Sequence, residues 1–269
     1  MRTDRGIVER SSRTPMGPAA VRFTEAAEGI EVEAWGPGAA WMLEHAPDWC
    51  GGGDDDTDFD PAPGLVRDLW RQNRGLRIPR TGLITERLIP VILEQKVTGN
   101  EARRAYRRLS VALAEPAPGP LGLTLPPDPV RVAELPYYAF HPFGVERRRA
   151  EVLRAVCARS AWIDDAFDLT LDAAEERLST LHGIGVWTVA EVARIALGDA
   201  DAVSVGDYHV PNIVGWALAR EPRGSDERML ELLEPYRPHR GRVQLLLESS
   251  GLRAPAFGPR MEPRAIDRI

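Results

Sequence analysis

The sequence predicts a mainly α-helical protein that begins with a small α+β part. Two observations predict this. Period-2 alternation of apolar residues, the strand signature, is confined to the N-terminal region, as in Ile30, Val32 and Ala34. Beyond about residue 75 the apolar residues recur at helical spacing, between capping signals and glycine turns.

In chain order, residues up to about Pro18 are polar and predict a loose tail. Val21 to Thr24 and Ile30 to Trp35 predict short strands around the polar turn Glu25 to Gly29, and a helix runs from Ala39 to about His45, ended by Pro47. Gly51-Gly52-Gly53 and the acidic run after it predict a loop, and Val66 to Asn73 one helix. A boundary near residue 75 separates an N-terminal domain (1–75) from a helical domain (76–269). Ile84, Leu88, Val91 and Ile92 make an apolar stripe, in which Pro90 predicts a kink or the helix's true start. Thr98 and Glu101 form a capping box, so a new helix starts there and Gln95, Lys96 and Val97 lie in a tight turn. Pro116 to Pro129 predicts a loop, and helices follow over Val145 to Ala158 and Leu171 to Leu181.

Composition narrows the function classes. The chain has 269 residues, 43% of them hydrophobic, and no apolar run reaches the roughly 18 residues of a membrane helix. Met1 to Arg13 is polar, with no secretory signal pattern, so a cytoplasmic setting is expected. Cys50 and Cys157 are too few for a cysteine-ligated cluster and the histidines are scattered, so no metal and no other cofactor is expected. The net charge of −6 argues mildly against nucleic acid, but arginines cluster at 103–108, at 147–149 and at 237–242. Such clusters can meet phosphates while the remaining surface stays acidic. Lys96 is the only lysine, in a chain whose other basic residues are arginine.

The most informative segment is Leu181-His182-Gly183-Ile184-Gly185-Val186-Trp187-Thr188-Val189-Ala190. One helix ends at Leu181, a Gly-x-Gly turn follows, and a second helix runs from about Val186 to Leu197. Glycines at 183 and 185 let another backbone approach, and the amides of the next helical turn then form an anion site suited to a DNA phosphate. Farther on, Gly206-Asp207-Tyr208-His209 precedes an apolar helix from Val210 to Leu218.

With this hairpin and the Asp at that distance, the sequence resembles the helix-hairpin-helix DNA glycosylases, most of all the 3-methyladenine glycosylase II branch. Leu93-Glu94-Gln95-Lys96-Val97-Thr98 and Pro235-Tyr236-Arg237 resemble further family segments. The likeness is good from about residue 76 to 250 and weaker over Ile30 to Asp56. It implies a monofunctional enzyme that flips a damaged base from double-stranded DNA and hydrolyses its glycosidic bond. Asp207 would be the catalytic carboxylate, stabilising the oxocarbenium-like sugar and orienting or deprotonating water. DNA contacts would come from Gln95, Lys96, Thr98, His182, Gly183, Gly185, Val186 and Thr188; Trp187, Glu191 and Tyr208 would line the base pocket.

Strand-cutting relatives carry a lysine nucleophile two residues after the second hairpin glycine; here that residue is Trp187, so the reaction is expected to stop at an abasic site. The sequence also departs from the branch. Leu245, Leu246 and Leu247 stand where aromatics are common, and Glu191 where tyrosine occurs, which leaves a more acidic pocket suited to a cationic base. Alkylated purines are therefore the expected substrates, with uracil, hypoxanthine or oxidised purines as alternatives. A non-catalytic DNA-binding protein is the rival of another class. A monomer without a protein partner is expected.

Overall fold

The computed structural model describes residues 1–255 and residue 266. Among these, the strands are β1 (Arg2–Asp4), β2 (Ile7–Thr14), β3 (Gly17–Ala26) and β4 (Gly29–Trp35). The helices are α1 (Ala39–Trp49), α2 (Leu65–Gln72), α3 (Ile84–Glu94), α4 (Gly99–Ala112), α5 (Pro129–Glu134) and α6 (Arg147–Cys157). They continue with α7 (Ser160–Asp164), α8 (Leu171–Ser179), α9 (Val186–Val192), α10 (Val210–Ala219), α11 (Asp226–Leu233) and α12 (Arg240–Ser249).

The chain divides into two compact units that do not follow the boundary expected near residue 75. One comprises Met1–Trp49 and Gly82–Asp168; the other comprises Cys50–Thr81 and the residues from Leu169 to Pro255. The acidic loop and α2 were expected to fold with the N-terminal strands, and instead build the core of the second unit. The physical reason is apolar complementarity at long range: Phe59, Val66 and Leu69 pack in one cluster with Val210, Val214, Met229, Leu233, Val243 and Leu247.

In the first unit the four strands form an antiparallel meander in the order β1-β2-β3-β4. The expected loose tail is in fact β1 and β2. Its sequence hid this, because β2 is fixed by polar groups rather than by an apolar stripe: Ser12 is fully buried, and its hydroxyl donates to Glu86 of α3 at 3.1 Å. Arg10 and the Arg13 amide donate to the same carboxylate. On β3, Ala19 and Val21 are buried with Met42 of α1, flanked by Phe23, Val32, Trp41 and Trp49. Pro47 lies within α1 and does not end it.

Helix α3 runs through Pro90, so the proline is not its start. Both ends of α3 are capped from elsewhere in the unit. Asp164 accepts from the Thr85 amide at 2.7 Å, and the buried Arg149 donates Nη1 to the Leu93 carbonyl at 2.7 Å. Such groups satisfy the amides and carbonyls that a helix end leaves without partners. The turn between α3 and α4 is held by the expected capping box, in which Thr98 and Glu101 bond each other's backbone amides.

In the second unit Arg242 is wholly buried, and its guanidinium bonds both carboxylate oxygens of Asp54 at 2.9 and 2.6 Å. A buried guanidinium is tolerated only with such a partner. Arg240 pairs with Asp201 and Arg237 with Glu234. The basic cluster at 237–242 therefore neutralises the protein's own carboxylates.

Candidate functional site

The hairpin forms as the glycine pattern predicts. Helix α8 ends at Ser179, Leu181 and Ile184 are buried and anchor the turn, and His182, Gly185 and Val186 are exposed. Gly183 has φ +83°, a left-handed conformation that favours glycine. Gly185 differs, with φ −101° and no atom within 4 Å of where a Cβ would stand, so neither backbone strain nor internal packing demands glycine there. Its bare Cα leaves the start of α9 open to an approaching group.

The first helical bond of α9 runs from the Val189 amide to the Gly185 carbonyl at 3.0 Å, so the amides of Val186 and Trp187 donate to no helical carbonyl. Thr188, in the first turn of α9, is buried as a whole residue. Helix α9 continues as a π turn over Ala193–Leu197. π turns of this kind often accompany functional sites.

Asp207 stands just before α10, two residues ahead of its cap residue His209. Oδ1 accepts from the amides of His209 and Val210 at 2.6 and 3.0 Å, and Oδ2 accepts from the Trp187 indole Nε1 at 3.0 Å. An ionised carboxylate is acceptor-only, and all three partners are donors. The structure thus brings together two residues singled out separately in the sequence, and the tryptophan fixes the carboxylate rather than only packing behind the hairpin. Tyr208 is 83% exposed, its ring edge-on to His209.

Glu191, one turn after Trp187, accepts from Arg194 Nη2 at 2.5 Å and from the Ser204 hydroxyl at 2.6 Å. Gln244 of α12 donates to the Ser204 hydroxyl at 2.9 Å and to Glu248 at 3.3 Å, while its Oε1 accepts the Ser204 amide at 3.0 Å. Sequence reasoning passed over Arg194, Ser204, Gln244 and Glu248. Gln244 and Glu248 stand one helical turn apart, which puts both on one face of α12, but nothing local shows which face meets Glu191.

Gln95, Lys96 and Thr98 belong to the first unit and the other expected residues to the second. Lys96 is exposed at the tip of the turn between α3 and α4, with φ +56°. A non-glycine residue held there costs about 1–2 kcal/mol, and such strain clusters at sites that bind or switch. Among the described residues, no cluster of His, Cys, Asp or Glu is arranged to hold a metal ion, and no helix is long and apolar enough to cross a membrane.

No family profile and no curated relative matches the sequence. Solved structures do match. The 3-methyladenine DNA glycosylase from Archaeoglobus fulgidus is similar with a TM-score of 0.70 at 19% identity, over 91% of this chain and 86% of that one. The chain has the fold of the helix-hairpin-helix DNA glycosylases. An 8-oxoguanine glycosylase/lyase from Clostridium acetobutylicum, in complex with double-stranded DNA, has a TM-score of 0.64 at 14% identity, over 88% of this chain and 86% of that one. The Schizosaccharomyces pombe 3-methyladenine DNA glycosylase, in complex with abasic DNA, has a TM-score of 0.59 at 17% identity, over 73% of this chain and 96% of that one.

Proposed function

We propose that this protein is a monofunctional DNA glycosylase that removes alkylated purines from double-stranded DNA. The observation that carries the reading is Asp207, held by two helix-start amides and the Trp187 indole beside a glycine hairpin. Cleavage of the bond between base and sugar builds positive charge on the sugar, and a carboxylate fixed in advance stabilises it without reorganising. The same group orients or deprotonates the attacking water.

The hairpin grips a phosphate through Gly183, Gly185 and the first amides of α9, with His182, Val186 and Thr188 beside the strand. On the first unit, Gln95, Lys96 and Thr98 form a second DNA contact. Trp187, Glu191 and Tyr208 surround the base. With tryptophan where a lyase would carry its amine, strand cleavage is not part of the reaction.

The test is excision from end-labelled duplexes, each with one lesion (N7-methylguanine, uracil, hypoxanthine or 8-oxoguanine), resolved with and without alkali. Breaks that need alkali, strongest for the alkylated base, are expected. Asp207→Asn should abolish them, lowering the rate by at least about a hundredfold while duplex affinity stays within a few-fold. Breaks without alkali would overturn the monofunctional reading. Tight binding with no breaks for any lesion would leave a DNA-binding protein without catalysis.

A further inference from the structure

Asp207 lies close enough to Glu248 to repel its charge, and Glu248 is linked to Glu191 by hydrogen bonds through Gln244 and Ser204. Glu191 is charge-paired to Arg194 and bonded by Ser204. Glu248, in the last turn of α12, forms no ion pair among the described residues and accepts from the Gln244 side-chain amide at 3.3 Å. Gln244 thereby ties both carboxylates into one network through Ser204. A glutamate at the C-terminal end of a helix meets the negative end of the helix dipole, an unfavourable place for an anion.

Arg194 is the only positive group in this network among the described residues. It is 5% exposed, its Nη2 is committed to Glu191, and its buried Nη1 has no hydrogen-bond partner among the described residues. Arg194 is paired with Glu191 and also attracts Glu248, while Asp207 is held by two amides and the Trp187 indole, so among the described residues of this network negative charges outnumber positive ones. The Glu248 carboxyl is perturbed chiefly by burial. Desolvation raises it above the ordinary glutamate range, helped by Glu191 and Asp207 as like charges, against the opposing pull of Arg194 and Gln244.

We propose that Glu248 is a specificity-determining residue: its carboxylate, beside Glu191 and Asp207, holds the positive charge of a ring-alkylated purine and so favours cationic bases over neutral ones. This rests on the glycosylase reading given above. The charge starts on the base ring. As the glycosidic bond breaks, its electron pair moves onto the base and the positive charge moves to the sugar. Glu248 therefore favours the bound substrate and Asp207 the transition state. An interaction present in the bound substrate and fading toward the transition state shows in affinity rather than in maximal rate.

Duplexes carrying N7-methylguanine, which is cationic, or hypoxanthine, which is neutral, at the same position would be compared for anisotropy binding and for single-turnover excision across enzyme concentrations. Glu248→Gln should weaken binding and raise the half-saturating concentration for N7-methylguanine about tenfold. It should leave the maximal rate and every hypoxanthine value within about threefold, and Glu248→Asp should recover part of the loss. An equal effect on both lesions, or none on either, would overturn the assignment. The binding arm separates the two readings. If the wild type excises neither base yet prefers the cationic duplex through Glu248, the glycosylase reading falls and the charge site stands. If the wild type binds both duplexes alike, the charge site falls whatever the excision shows.

Discussion

Asp207 has a free choice of rotamer in sequence terms and very little in the fold, because donors reach both of its oxygens. The Trp187 indole is the only side chain among those three. Trp187→Phe keeps a flat apolar ring and deletes the N–H. A hydrogen bond to a charged group is worth about 1.5–3 kcal/mol, so single-turnover excision should fall about 10–100-fold. Duplex affinity should stay within about threefold, as measured by anisotropy. A parallel collapse of affinity would mean that the ring acts mainly by stacking on the base. Asp207, Trp187 and Glu191 were all legible in the sequence, since the hairpin numbers them. Gln244 and Glu248 were not: Gln244 meets Ser204 across 40 residues of chain, and no local pattern reports such a pairing.

At the scale of elements, the hairpin invites a substitution that separates folding from binding. Gly185→Ala meets no clash and needs no unusual φ, so the cost in stability should be about 1 kcal/mol or less, the usual preference for glycine over alanine at a helix start. The added methyl would nonetheless stand over the open amides of α9, and duplex affinity should drop by at least about tenfold in a salt titration. Unchanged affinity would remove the hairpin from the interface. Elements marked by local chemistry were legible: the capping box of α4, the glycine turn, and the strand pair β3–β4. The strands β1 and β2 were not: β1 is exposed, and the buried positions of β2 include Ser11 and Ser12, satisfied by hydrogen bonds that lie far along the chain. Pro47 and Pro90 misled for a simpler reason: a helix packed on a core tolerates a proline that an isolated one would not.

For the molecule as a whole, pH enters through a carboxylate that caps a helix from inside. Burial pushes Asp164 of α7 up to about 6, although the Thr85 amide bonds its charged form. Its folded value therefore lies above its unfolded value, so the folded state holds this proton more tightly. Between about pH 4 and pH 6 the unfolded chain has lost that proton while the folded state keeps it, so stability falls as pH rises. Asp164→Asn keeps the acceptor for Thr85 and removes the titration. Urea unfolding from pH 4 to pH 7.5 should show the wild type losing on the order of 2–3 kcal/mol relative to the variant. A constant difference between the two would mean that Asp164 titrates alike in both states. The charge distribution shows the same limit on legibility. The acidic run at 54–60 and the basic cluster at 237–242 read as opposite surface features, yet Asp54 and Arg242 meet inside the second unit.

The bond between Asp54 and Arg242 spans 188 positions, and a ribosome delivers those positions in order. At roughly 5–20 residues per second, the segment Cys50–Thr81 waits about 10–40 s before its partners on α12 have been made. Throughout that interval Phe59, Val66 and Leu69 are without most of the apolar surface that later covers them. The run of aspartates beside that apolar segment gives it charge repulsion against self-association while it waits.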